Sequence, residues 1–241
     1  EFMSSPSVSG DGSIWVGSHD GNIYKISPDG NGLPVVKTGE SVVSSPLVSH
    51  NLIAAGSMDG FLYALAPSGK ILFKSNMEDW VCSSSSILEN GSIIVAGRKG
   101  ILRCLSPDGK TLWEASIGTN EYEIQSSPAV FENRIYIGSE NGNIYSINAD
   151  GIITGTFSAG SAVYASPAVD ESGNIYAGSS EGMFFCLDPQ HKLKWKYKTG
   201  GGITSSAALH QNRIIFGCQD GFVYCLDSNG SLLWKFQTGK S

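Results

Sequence analysis

A dipeptide that closes a Gly-Ser-x-x-Gly turn recurs as Asp20-Gly21, Asp59-Gly60, Lys99-Gly100, Asn141-Gly142, Glu181-Gly182 and Asp220-Gly221, at steps of 39, 40, 42, 40 and 39 residues. A second marker, Ser-Ser-Pro or its variant, keeps the same phase at Pro6, Pro46, Ser85, Pro128, Pro167 and Ala207. Six units of about forty residues therefore fill the 241-residue chain. A period of this length confines the fold to propeller blades, solenoids or arrays of small repeats.

The residues within a unit decide among these. Ile135-Tyr136-Ile137 runs into Gly138-Ser139-Glu140-Asn141-Gly142, and Asn143-Ile144-Tyr145-Ser146-Ile147 runs into Asn148-Ala149-Asp150-Gly151. Short β-branched and aromatic runs bounded by Asn-Gly and Asp-Gly predict antiparallel hairpins. No window keeps apolar residues at helical spacing over three turns, so each unit reads as four short strands. With no helix to cover them, such sheets bury both faces against each other. That requirement predicts an all-β, six-bladed β-propeller of four-stranded antiparallel blades. The 30 glycines are then the punctuation of a repeat in a chain that is 41% hydrophobic and 16% charged.

The expected organisation is a single propeller domain over 1–241, with blades at about 4–43, 44–82, 83–125, 126–164, 165–204 and 205–241. Glu1-Phe2-Met3 reads as a cloning remnant. Phe222-Val223-Tyr224-Cys225-Leu226 is apolar throughout, as a strand buried on both faces should be. Lys192, Lys194, Lys196 and Lys198 alternate with Leu193, Trp195 and Tyr197, the pattern of an edge strand protected by lysine.

The combined pattern is Ser-Ser-Pro-x-Val, Ile-Tyr-x-Gly-Ser-x-x-Gly, aromatic-x-Leu, Asp-x-x-Gly-x-Leu-x-Trp and Thr-Gly. It resembles the pyrroloquinoline-quinone-type (PQQ-like) propeller repeat of quinoprotein dehydrogenases and their non-catalytic relatives. The docking tryptophan of that family matches Trp113, Trp195 and Trp234, and Phe73 takes the slot in the second unit. Pro34 and Gly155 leave the first and fourth units without a large ring. The enzymes of the family imply eight blades, a calcium ion beside the quinone and, in several, a pair of adjacent cysteines. Here there are six repeats, and Cys82, Cys104, Cys186, Cys218 and Cys225 are all separated. No spacing matches a metal site, and Asp170-Glu171-Ser172-Gly173-Asn174 reads as a turn. The resemblance therefore implies a non-catalytic member with no cofactor and no metal.

Cys104, Cys186 and Cys225 share one slot, and equivalent slots on successive blades should lie about 10 Å apart, the spacing of stacked sheets, too far for a disulfide. Unpaired thiols favour the cytoplasm, and a removed leader would place the chain outside it. A net charge of −6 argues against nucleic acid as a partner, and no apolar run is long enough for a membrane span. His19, His50, His191 and His210 lie in or beside turns with no nucleophile context, so no active site is expected.

Binding candidates are residues that leave the repeat consensus without a folding reason. Between blades, an apolar residue recurs at Val42, Val81, Ile124, Val163 and Ile203, which is packing. The departures are Asp79 and Trp80, an insertion bringing Glu121, Tyr122 and Glu123, and Tyr164. In the divergent third unit, Arg98, Lys99 and Arg103 concentrate positive charge, and Arg103 in place of a core ring calls for an ion pair. The expected function is a binding or scaffolding propeller, a domain of a larger protein, whose blade-linker face recognises a protein or a small polar ligand. A carbohydrate-binding propeller and a quinone- or metal-dependent oxidoreductase are the alternatives.

Overall fold

The computed structural model describes residues 1–117 and 123–239. Among the described residues there is no helix. Twenty-four strands form six four-stranded antiparallel sheets, each pairing its strands in chain order, in an all-β, six-bladed β-propeller fold. Repeat two shows the plan: Leu47–Val48, Ile53–Gly56, Phe61–Leu65 and Ile71–Asn76. The chain comprises two compact units, Glu1–Ser116 and Ile117–Ser241, each carrying three of the sheets.

Inner strands such as Ile53–Gly56, Ile93–Ala96 and Ile175–Gly178 are buried at every position. The outer strand Leu193–Lys198 exposes its lysines and half-buries Trp195 and Tyr197. Between sheets, rings stack closely: Phe184 and Phe216 lie 4.0 Å apart at 4°. Their burial, at about 25 cal/mol per Å² of apolar surface, is what a lone sheet could not obtain.

The two serines of the Ser-Ser marker act differently. The first closes its own repeat: the Ser44 hydroxyl accepts from the Gly56 amide and donates to the Gly56 carbonyl, both at 2.8 Å. The second ties repeats together. The amides of Ser5, Ser45, Ser127 and Ser166 donate to the hydroxyls of Ser45, Ser84, Ser166 and Ser206, one repeat further on, at 2.8–3.2 Å.

A ring-on-glycine joint links outer strands. Trp195 lies against Gly230, whose φ of +81° suits glycine, and an added Cβ there would fall 2.6 Å from the indole. The indole N–H donates to the Ser228 carbonyl at 2.9 Å. Phe73 sits on Gly109 in the same way. Trp113 is half-buried opposite Cys104.

Two joints depart from the sequence pattern. In repeat one the bulge of the outer hairpin moves by two residues, pairing Tyr24 with Pro34, and Val35 rather than Pro34 meets Gly69. Proline has no amide for the ladder, so the irregularity falls beside it. In repeat four the empty slot at Gly155 is filled from the opposite side. His191 replaces the usual glycine of repeat five at φ 63°, stacks near Tyr136 at 6.3 Å, and would lie 2.7 Å from a Cβ on Gly155.

Both ring nitrogens of His191 are buried without a hydrogen-bond partner. Burial pushes its pKa below the ordinary 6.5, with Arg134 adding to the shift. Protonation then favours the unfolded chain, so this contribution to stability is complete above pH 6.5 and declines as pH falls below it. Thermal melts from pH 8 to 5 should show a decline that is shallower in His191→Gln, and parallel slopes would refute the assignment. Trp195→Ala should cost about 3 kcal/mol in denaturant unfolding, near the lower end for deleting a large ring.

Candidate functional site

The apolar linker residue fixes each blade-to-blade segment. Val81 is buried over Gly56, where a Cβ would fall 2.3 Å from its side chain, and Val42, Val163 and Ile203 cover Gly17, Gly138 and Gly178 in the same manner. The Val81 amide donates to Ser57 at 3.1 Å, and the Arg98 amide donates to the Trp80 carbonyl at 2.9 Å. With Val81 held inward, Trp80 turns out and stays 44% exposed.

Arg98 lies over this ring, its guanidinium carbon 4.9 Å from the centroid. Asp79 accepts from the Lys99 amide. Together Asp79, Trp80, Arg98 and Lys99 form a compact surface group in the unit Glu1–Ser116. A cation over an exposed indole is attracted by its negative face. Arg103 forms an ion pair with Glu114, its cross-strand neighbour, and donates to the Asn76 carbonyl.

The other candidates belong to the unit Ile117–Ser241. Glu123 is bonded twice to Glu140: its amide donates to the side-chain Oε2 at 3.3 Å, and its carbonyl accepts the Glu140 amide at 3.2 Å. Gln125 donates to Glu140 at 3.1 Å. Tyr164 is half-buried beside Val163. Glu121 and Tyr122 lie outside the described residues.

A cavity of about 580 Å³ in the same unit is bordered by Asp170, Tyr176, His210 and Arg213. The Asp170 carboxylate is already committed to its turn, accepting from the Ser172 amide, the Asn174 amide and side chain, and the Tyr176 hydroxyl at 2.7–2.9 Å. Among the described residues no group of three or more His, Cys, Asp or Glu is placed to hold a metal. Among the described residues no disulfide joins the cysteines, and burial pushes the Cys186 thiol up to about 11.

The turn aspartates do more than form their own turns. Asp59 also accepts from the Tyr63 hydroxyl at 2.6 Å, the Phe61 amide at 3.1 Å and, from the preceding repeat, the Gly39 amide at 2.7 Å. Asp220 does the same with Tyr224, Phe222 and Gly200. Repeat three has Lys99 at this column, and Asp79 supplies the carboxylate from the linker side instead. The signal was present in two aligned columns, Asp or Asn in the turn and Tyr four residues on.

Burial raises the Asp59 pKa, but the bonds from Tyr63, Gly39 and Phe61 together outweigh it and leave the carboxyl below its ordinary 3.8. Its stabilising effect is present above that value and lost as pH falls through the lowered one. Asp59→Asn should cost about 1–2 kcal/mol at neutral pH, and the difference from wild type should vanish in acid melts. A difference unchanged down to pH 2 would overturn the role of the charge.

Comparison with known proteins follows the fold. The PQQ_2 family model, described as outer membrane protein assembly factor BamB, matches residues 2–190. No curated protein sequence matches the chain. Among solved structures, the computationally designed Ika8 protein is similar with a TM-score of 0.86 at 16% identity, over 100% of this chain and 76% of that one. BamB from Moraxella catarrhalis is similar with a TM-score of 0.80 at 16% identity, over 98% of this chain and 74% of that one.

Proposed function

We propose that this chain, which belongs to the PQQ_2 family of outer membrane protein assembly factor BamB, is a non-catalytic scaffold that binds a protein partner through its blade linkers. The observation that carries the reading is the exposed Trp80, in the linker leading into the repeat that departs furthest from consensus, under Arg98 of that repeat. Trp and Arg dominate the energetics of protein interfaces, especially where a ring presents area at little entropic cost. The family description, that of an assembly factor, points the same way.

Arg98 also favours a protein over a carbohydrate. A sugar stacks on a bare aromatic face, and here a guanidinium already occupies one. Asp79, beside Trp80, holds the turn amide of Lys99 and so fixes the linker that presents the ring. In the unit Ile117–Ser241 the linker residues Glu121, Tyr122, Glu123 and Tyr164 are proposed separately as binding candidates.

The test is affinity capture from the source cell with the wild-type chain, followed by titration of the captured protein. Trp80→Ala should weaken binding roughly thirtyfold while shifting stability by less than about 0.5 kcal/mol. A captured protein that binds the variant as tightly as wild type removes Trp80 from the interface. Glycan-array binding abolished by the same substitution would replace the protein reading with a carbohydrate one.

A further inference from the structure

Each sheet ends on an outer strand whose far edge has no partner within its own repeat. Such an edge is a template for pairing with another chain unless proline or charge blocks it. The blocking falls in one cross-strand column. Opposite Tyr24, Tyr63, Arg103, Phe185 and Tyr224 the outer strands carry Pro34, Lys74, Glu114, Lys196 and Lys235. Opposite Tyr145 the fourth repeat carries Thr156.

The rest of that strand has the same character. Ile153–Ser158 reads Ile-Thr-Gly-Thr-Phe-Ser, 6 residues with no charge and no proline, and Thr154, Thr156 and Ser158 are exposed. Among the described residues it pairs with Asn143–Ile147 alone. The Ala159 amide donates to the Gly142 carbonyl at 2.8 Å, and this bond sets the alternation of the ladder. Phe157 and Gly155 bond inward, while the amides and carbonyls of Thr156 and Ser158 turn away from the sheet. Short uncharged segments of β-forming residues pair readily with copies of themselves.

We propose that the outer strand of repeat four pairs with the same strand of a second copy of this chain, antiparallel about Thr156, in a closed two-fold dimer. The occupant follows from self-complementarity. The two-fold register sets Thr156 opposite Thr156, Thr154 opposite Ser158 and Gly155 opposite Phe157, hydroxyl to hydroxyl and glycine to ring, with no charge among them. The same operation on Leu193–Lys198 sets Lys196 opposite Lys196 and Lys194 opposite Lys198, and like charges directly opposite repel. The pairing uses up the open edge of each copy, so the contact is isologous and stops at two.

A contact of one strand with another is small, so the mass must be followed by sedimentation up to about 1 mM protein. The wild-type mass should rise to twice that of one chain and level there. Thr156→Lys and Thr156→Glu each set like charges opposite and should weaken association at least roughly tenfold, and an equimolar mixture of the two should regain it. The column accommodates either charge elsewhere in the fold, as Glu114 opposite Arg103 and as Lys74, whose Nζ lies 4.6 Å from the Tyr63 ring centroid. Thermal melts of the dilute variants check folding. Amide exchange at Thr156 and Ser158 of the wild type should slow as concentration rises, a readout that needs no substitution.

A wild type that stays monomeric at the highest concentration overturns the proposal, and a captured protein partner lost with Thr156→Lys would assign the edge to that partner's strand instead. Mass beyond two copies overturns the closed pair. Association that survives both substitutions, or exchange at these amides indifferent to concentration while the mass doubles, removes the contact from this strand. Variants that fold as wild type and lose association, with no recovery in the mixture, overturn the register.

Discussion

A four-stranded sheet of these sequences has two apolar faces and no helix to cover either, so within each unit successive repeats depend on seating a side chain between an outer strand and the turn of the next repeat. Trp195 on Gly230 and Phe73 on Gly109 are the plain form of that contact. Around it lie the serine amide-to-hydroxyl bonds and the turn aspartate that accepts from two repeats at once. Each of these is modest in water, at about 1 kcal/mol. Their effect comes from repetition, since a repeat protein gains stability from each nearest-neighbour interface.

The fold was legible because it is written six times. The turn dipeptides set the blade count, and apolar runs at every position of the inner strands announced sheets covered on both sides. Compensation between repeats was less legible. A reader sees an empty slot at Gly155 and an unremarkable His191, and only knowledge of which columns face each other shows that one fills the other. Asp79 and Lys99 are a second case, a carboxylate moved from the turn to the linker. Val35 standing in for Pro34 is a third, caused by a bulge that residue types alone do not place.

The candidate site was legible in the same partial way. Trp80 stood out as a departure from the linker pattern, and Arg98 as part of a local excess of positive charge. Nothing in their sequence separation says that one lies over the other. The link is the backbone bond from residue 98 to the carbonyl of residue 80, a column pair that recurs as Met58 with Ser41 and Ser180 with Ala162. The fold thus supplies a fixed pairing of linker and turn, and repeat three uses it to present an aromatic and a cation together.

Near-identical joints carry a hazard, because in principle any covering strand fits any receiving turn. While the chain is folding, a repeat could dock on one further along and leave a loop of forty or so residues stranded. The inverted joint between repeats four and five removes much of that freedom. A tryptophan meeting His191 would find its seat already filled, and a glycine meeting an ordinary turn would leave it empty. The one joint that departs most from the pattern therefore acts as a key that fixes which repeat follows which.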